Sequence, residues 1–193
     1  MVPLMVGGAA VSGVLMANDR RTTGAQVEDQ LIESKAARQI KAVLGDKGHV
    51  NTNSYNRVLL LTGEVPTEED RLAIEKAVAG IENLRSVVNE TAVMVASSLT
   101  ARSNDVLVSS KVRATLIDAG DMPSHAFKLV VERGTVFLMG RVTTTEADRA
   151  TALARAVNGV QKVVRVVELI SEDELKALKA NAPKPEPASP GPR

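Results

Sequence analysis

Apolar positions recur along this chain with two different periods, and the change from one to the other happens twice. Val27, Leu31, Ala36, Ile40, Val43 and Leu44 stand at helical spacing, with Glu28, Glu33, Lys35 and Arg38 between them. That pattern predicts an amphipathic helix with one buried stripe. Residues 106–117 repeat it, with Val108, Val112, Leu116 and Ile117 as the stripe and Gly120 and Pro123 closing the helix. After each helix come two strand-like runs. The first pair is 50–54 and 58–65 around Tyr55-Asn56-Arg57; the second is 127–131 and 135–142 around Glu132-Arg133-Gly134. Gly134 suits the positive φ of a tight hairpin, and Asn56 is the next best residue for that backbone region.

A second helix follows in each half. Thr67-Glu68-Glu69-Asp70 and Thr145-Glu146-Ala147-Asp148 read as capping boxes. Gly80 and Gly159 read as C-terminal caps. The last strands are predicted over 84–95 and 160–170. The helix before each is long enough for a parallel crossover.

The two halves are copies of one unit of about 70 residues. Leu61-Thr62-Gly63-Glu64-Val65 stands opposite Leu138-Met139-Gly140-Arg141-Val142, and Ala77-Val78-Ala79-Gly80-Ile81 opposite Ala156-Val157-Asn158-Gly159-Val160. Gly63 aligns with Gly140 and Gly80 with Gly159, at an offset drifting from 76 to 79 residues. The expected class is α+β: two tandem α-β-β-α-β units, each with a three-stranded mixed sheet and helices on one face. Units this small are marginal alone, so the copies should pack on each other or on a partner. Gly63 and Gly140, inside strands, are expected where a side chain would strike a packed helix or the other copy.

The predicted boundaries are a lead segment at 1–25, the first unit at 26–95, a linker at 96–103 and the second unit at 104–170. A short helix at 171–181 and a Pro-rich tail at 182–193 follow. Residues 1–18 carry no charged side chain and are broken by glycines. Three readings stand open for them: a stretch beside a membrane anchor, an N-terminal arm, or the remnant of a signal peptide's apolar region. The tail, with five prolines between Pro183 and Pro192, is expected to be extended.

Composition removes several function classes. The chain has no cysteine, so thiol chemistry and disulfides are absent. A net charge of +1 and only three aromatics, Tyr55, Phe127 and Phe137, argue against nucleic-acid binding. There is no nucleophile elbow and no phosphate-binding loop. His49 and His125 fall at nearly equivalent points of separate units, which predicts no shared metal. The sequence thus predicts a protein that is not an enzyme and uses no cofactor and no metal. Charge divides unevenly, however. Residues 26–95 hold 8 Lys and Arg against 11 Asp and Glu; residues 103–171 hold 9 against 7. The second unit suits an anionic surface better than the first.

The repeated unit, with Gly134-Thr135-Val136-Phe137-Leu138-Met139-Gly140 and Val157-Asn158-Gly159-Val160-Gln161-Lys162-Val163 in its second copy, resembles the BON domain, a small bacterial periplasmic module. Arg20-Arg21-Thr22-Thr23-Gly24-Ala25-Gln26 resembles the lead segment of dual-BON outer-membrane lipoproteins of the DolP (YraP) type. The resemblance implies a periplasmic protein at the inner leaflet of the outer membrane, supporting envelope integrity. It implies an anionic phospholipid partner, phosphatidylglycerol or cardiolipin, bound through the second BON domain, and outer-membrane assembly proteins as further partners. That family is anchored by a lipidated cysteine. The cysteine is absent from this sequence, and residues 1–18 resemble the stretch that follows it. The alternative is a protein-interaction scaffold for outer-membrane assembly or osmotic stress.

On this reading the lipid site is expected at Leu107 and Lys111, i,i+4 neighbours on the first helix of the second unit. Met122 and Pro123 form a second apolar tip, and Arg113 and Lys128 are further cations. Gly63, Gly80, Gly140 and Gly159 are the structural glycines.

Overall fold

Two hydroxyl caps 76 residues apart set the frame. Thr22 is extended and its hydroxyl accepts the Ala25 N–H; Ser98 is extended and accepts the Ala101 N–H. A helix starts after each, because the cap satisfies an N–H with no partner inside the helix. The computed structural model describes residues 19–180, so the expectations for 1–18 and for 182–193 fall outside the described residues. The first half comprises α1 (Thr23–Leu44), β1 (His49–Tyr55), β2 (Val58–Val65), α2 (Glu68–Val78), β3 (Ser86–Asn89) and β4 (Ala92–Val93). The second comprises α3 (Leu99–Asp118), a 3-10 turn (Ser124–Ala126), β5 (Phe127–Glu132), β6 (Thr135–Val142), α4 (Thr144–Arg155), β7 (Lys162–Leu169) and α5 (Glu172–Ala180). No helix among the described residues is long and apolar enough to cross a membrane.

Each half is an α-β-β-α-β unit, and the molecule is α+β. The hairpins β1–β2 and β5–β6 are antiparallel; β3 pairs β2 and β7 pairs β6 in parallel. The first sheet carries one strand more than expected, because β4 adds a two-residue pairing to the end of β2.

Alternation along the central strands builds a four-layer molecule. Leu59, Leu61 and Val65 pack on Ile32, Ala36, Ile40, Leu44, Ile74 and Val78 of α1 and α2. Val136, Leu138 and Val142 do the same with Val108, Val112, Leu116 and the alanines of α4. The opposite strand faces meet: Tyr55 and Leu60 of one sheet pack on Phe137 and Met139 of the other. The copies therefore cover each other's sheets. This supplies the second buried face that a unit of this size lacks alone.

Several expectations need correction. Val27, Leu31 and Val43 are 52, 53 and 44% exposed, and Ile117 is 53% exposed. The buried stripe of α1 keeps the expected Ala36, Ile40 and Leu44 and adds Ala25, Asp29 and Ile32. A buried aspartate hid its first half from a reading based on apolar residues. The stretch 96–103 is not all linker, since α3 begins at Leu99, and the lead segment to residue 25 already includes the first turn of α1. The capping box of α4 is Thr143 with Glu146, two residues before the position expected at Thr145.

The glycines divide. A Cβ on Gly63, at φ 112°, would lie 2.0 Å from the His49 carbonyl oxygen; one on Gly140 would lie 2.5 Å from that of Ala126. The obstacle is the backbone beside the neighbouring strand, not a helix or the other copy. Gly159 has φ 100° and would strike Val108 of α3 at 2.8 Å. Gly80 has open space around it. The structural counterpart of Gly159 is Asn83, at φ 64° and 76 residues earlier, so pairing Gly80 with Gly159 was wrong. Asparagine tolerates this backbone region, which is how the first copy dispenses with a glycine there.

Candidate functional site

A buried aspartate in each first helix fixes the hairpin beneath it. Asp29 accepts the backbone N–H groups of Asn56 and Arg57, at 2.8 and 2.7 Å, and the Ser54 hydroxyl at 2.7 Å. Asp105 accepts the N–H groups of Arg133 and Gly134, at 2.8 and 2.9 Å. Both turns place two residues at positive φ, 49° and 67° in one, 49° and 69° in the other. This backbone matches the strand twist and leaves two N–H groups pointing at the carboxylate.

The lead arginines extend this network. Arg21 reaches Asp29 at 2.7 Å, pairs with Asp19, and lies 4.3 Å from the Tyr55 ring centroid. Burial pushes the Tyr55 phenol up to about 12. Arg20 makes two 2.7 Å bonds to Glu146, the capping-box acid of α4 in the other copy. Burial raises the Glu146 carboxyl, but Arg20 and the Thr143 N–H outweigh it and hold it below its usual range. Among the described residues five further side-chain pairs cross the seam: Lys128 with Glu33, Arg133 with Glu64, Arg85 with Glu168, Asn56 with Glu168, and Asn51 with Glu132.

With Asp105 and the Val108, Val112 and Leu116 stripe turned inward, the outer side of α3 is determined. Leu99, Val106 and Leu107 are 78, 65 and 60% exposed. They share that side with Ser103, Ser110 and Ala114, all exposed. The preceding segment adds Val93, Met94 and Val95, the last 87% exposed. Between Leu99 and Ile117 the single carboxylate is the buried Asp105. Arg102, Lys111 and Arg113 lie in the same span, and none has an ion pair among the described residues. The face is apolar with cationic edges and no exposed negative charge.

The structure brings together only some of the residues singled out from sequence. Leu107 and Lys111 are exposed on one flank of α3, and Arg113 is exposed on the other. Met122 is 9% exposed and belongs to the core beneath α3 and α4. It closes that core and is not an apolar tip; Pro123 beside it is half-buried. Lys128 lies at the seam, bonded to Glu33 and to the Ser54 carbonyl, so it does not face outward with Lys111. Leu99, Val106 and Arg102 were missed. Their signal was the Ser98 cap, which starts the helix a full two turns before the apolar periodicity becomes regular.

A family model for the BON domain matches residues 28–94 and again 104–171. The chain is 32% identical over 171 residues to the outer membrane lipoprotein DolP of Haemophilus influenzae, covering 88% of each chain. It is 29% identical over 154 residues to a 21 kDa hemolysin of Actinobacillus pleuropneumoniae, covering 79% of each. To the osmotically-inducible protein Y of Escherichia coli it is 27% identical over 139 residues, covering 68% of this chain and 69% of that one. With both model matches falling on the two observed units, the chain belongs to the BON-domain family and is a two-domain member of the DolP (YraP) type.

Proposed function

We propose that this chain is a non-enzymatic protein of the periplasm that acts at the outer membrane by binding anionic phospholipid through α3 of its second BON domain. One observation carries the reading: the outer side of α3 joins Leu99, Val106 and Leu107 to Lys111 and Arg113 with no exposed carboxylate between Leu99 and Ile117. Such a face fits the headgroup boundary. Leucine and valine gain about 25 cal/mol per Å² of apolar area removed from water, and each cation gains about 1 kcal/mol near an anionic surface. Burial of a helix face, rather than a spanning segment, makes this a surface-lying attachment. The outer-membrane location is supported by the similarity to the outer membrane lipoprotein DolP of Haemophilus influenzae.

The test is sedimentation with phosphatidylglycerol vesicles and, separately, with phosphatidylcholine vesicles. The parent is expected to sediment with the first and not the second, and Leu107→Glu, folded by circular dichroism, is expected to remain in the supernatant. A parent that ignores anionic vesicles at low salt overturns the lipid reading. The scaffold alternative, with outer-membrane assembly proteins as partners, would then account better for the α3 face.

A further inference from the structure

On the seam side of α3 the edge of the first sheet and the hairpin end of the second enclose a cleft of about 380 Å³, lined in part by His49, Asn51, Arg102, Asp105 and Glu132. Two of its lining residues, His49 and Glu132, meet the fully buried Glu64. His49 opens β1, Glu64 lies near the end of β2 and Glu132 ends β5; one ligand atom from each lies within 4.8 Å of the other two. The sequence predicts no metal because its two histidines fall in separate units. The partners of His49 are carboxylates, one of them from the other copy.

Two observations separate this group from an ordinary charged surface. First, Glu64 and Glu132 are 0 and 3% exposed. Arg133 balances Glu64, with Nη1 3.0 Å from Oε1. Glu132 has no such cation: among the described residues its side chain takes one hydrogen bond, from the neutral Asn51 amide at 3.0 Å. A buried carboxylate is strongly disfavoured unless positive charge reaches it. Second, His49 Nδ1 is buried without a hydrogen-bond partner, although Glu64 Oε2, which accepts the Ser97 N–H at 3.2 Å and the Ser97 hydroxyl at 3.4 Å, lies 3.7 Å away. That gap is too long for a hydrogen bond and suits two atoms that share a cation.

We propose that His49, Glu64 and Glu132 bind one divalent transition-metal ion of the Zn2+ class, which joins the two BON copies. One imidazole and two carboxylates are a donor set that Zn2+ accepts. Ligand atoms around a tetrahedral ion stand about 3.4 Å apart, so from separations within 4.8 Å the three side chains need close by at most about 1.4 Å. Asn51 holds the Glu132 carboxylate and Arg133 holds Glu64, the outer contacts that orient ligands. The cleft gives the ion a way in and leaves a coordination position open to water.

The experiment uses the full chain, treated with chelator and then titrated with Zn2+ by calorimetry, with melting curves at each end point. One Zn2+ per chain is expected, with Tm raised by about 5–10 °C at a hundredfold Kd. Glu132→Gln and His49→Gln, which preserve side-chain bulk closely, should each weaken binding by about tenfold or more; His125→Ala should leave it unchanged. Without metal, Glu132→Gln should melt no lower than the parent, since it removes an uncompensated buried charge. Bound Co2+ should give a visible absorption band that His49→Gln abolishes, a readout independent of each variant's own stability. Failure of the folded parent to bind stoichiometric Zn2+ overturns the proposal. So does retention of both affinity and the Co2+ band in the His49 and Glu132 variants.

Discussion

Helices α1 and α3 hold the same place in their copies and present different surfaces. Residues 76 apart correspond throughout: Thr22 with Ser98 as caps, Asp29 with Asp105 at the hairpin, Ile32, Ala36 and Ile40 with Val108, Val112 and Leu116 in the core. Even Leu31 and Lys35 have counterparts in Leu107 and Lys111. The difference lies in the acids. Glu28 and Glu33 of α1 pair with Arg57 and Lys128, whereas Asn104 and Ser109 stand at those places in α3. Lys35 meets Glu82 at 3.6 Å, while Lys111 has no ion pair among the described residues. The inner face preserves the fold in both copies. The flanks of α1 carry acids that neutralise neighbouring cations, Glu33 at the seam and Glu28 beside Arg57, and α3 has none at those places. On the lipid reading proposed above, a shared core leaves one copy to serve as support and the other to meet an anionic surface.

The largest contrast is expected at the hairpin aspartates. Asp29→Ala leaves two backbone N–H groups and the Ser54 hydroxyl without their acceptor and takes one of two carboxylates from Arg21, which keeps Asp19. Leaving three buried donors unpaired and weakening one charge contact costs about 3–5 kcal/mol. Asp105→Ala strands two N–H groups, for about 1–3 kcal/mol. Urea denaturation of both variants measures the gap. Equal costs would mean that Arg21 adds nothing and that the copies are more alike than their contacts suggest.

The strand glycines come next. Gly140→Val places a branched side chain 2.5 Å from the Ala126 carbonyl and is expected to cost about 1–3 kcal/mol by overpacking. Gly63→Val meets a closer carbonyl at 2.0 Å and also a positive φ of 112°, so it should cost more. Thermal melting of the pair gives the order directly, and a Gly63 variant that melts above the Gly140 variant would refute the backbone argument.

Acid should weaken the seam that holds the copies together. Burial raises the Glu64 and Glu168 carboxyls, but their seam contacts and neighbouring donors prevail and hold both below the ordinary value of 4.5. Such groups stabilise the folded state above pH 4.5, and the contribution is lost as pH falls through their folded values. Tm should change little in this respect between pH 7 and 5, then drop below about pH 4.5. Glu168→Gln, which removes the partner of Arg85 and Arg141, should make that drop shallower. A variant with the parent's full acid sensitivity would place the effect elsewhere.

How legible this was from sequence depended on what each element buries. The strands and hairpins were readable because β2 and β6 are apolar on both faces and turn at residues with obvious backbone preferences. The stripe of α3 was readable because Val108, Val112 and Leu116 are simple apolar positions. The stripe of α1 was readable only in its second half, at Ala36, Ile40 and Leu44, since Asp29 stands where a leucine would and Val27, Leu31 and Val43 are exposed. The Gly80 alignment failed for a related reason: asparagine replaced glycine at the left-handed position. Within the candidate site, Leu107 and Lys111 were accessible from helical spacing. The burial of Met122 and the ion pair of Lys128 depend on the 3-10 turn and on the sheet-to-sheet seam, contacts between segments far apart in the chain. His49, Glu64 and Glu132 likewise meet only because the two copies face each other.

The smallest effect isolates the charge difference between α1 and α3. Lys111→Gln removes one cation from the flank proposed to face lipid without changing the core, and one charge near an anionic surface is worth about 1 kcal/mol, or about fivefold in affinity. Lys35→Gln makes the same change on α1 and should leave vesicle binding unaltered, because that helix lies on the opposite outer layer of the molecule. Asn104→Glu restores to α3 the acid that α1 carries at Glu28 and places it at i,i+7 from Lys111, on the Leu107 flank. It should weaken binding to phosphatidylglycerol vesicles by about the same factor at low salt, and the loss should shrink as salt screens it. Sedimentation at two salt concentrations measures all three variants. Equal losses from Lys35→Gln and Lys111→Gln would show that net charge, rather than the face of α3, attracts the surface. A neutral result for Asn104→Glu would show that this flank of the helix does not touch lipid.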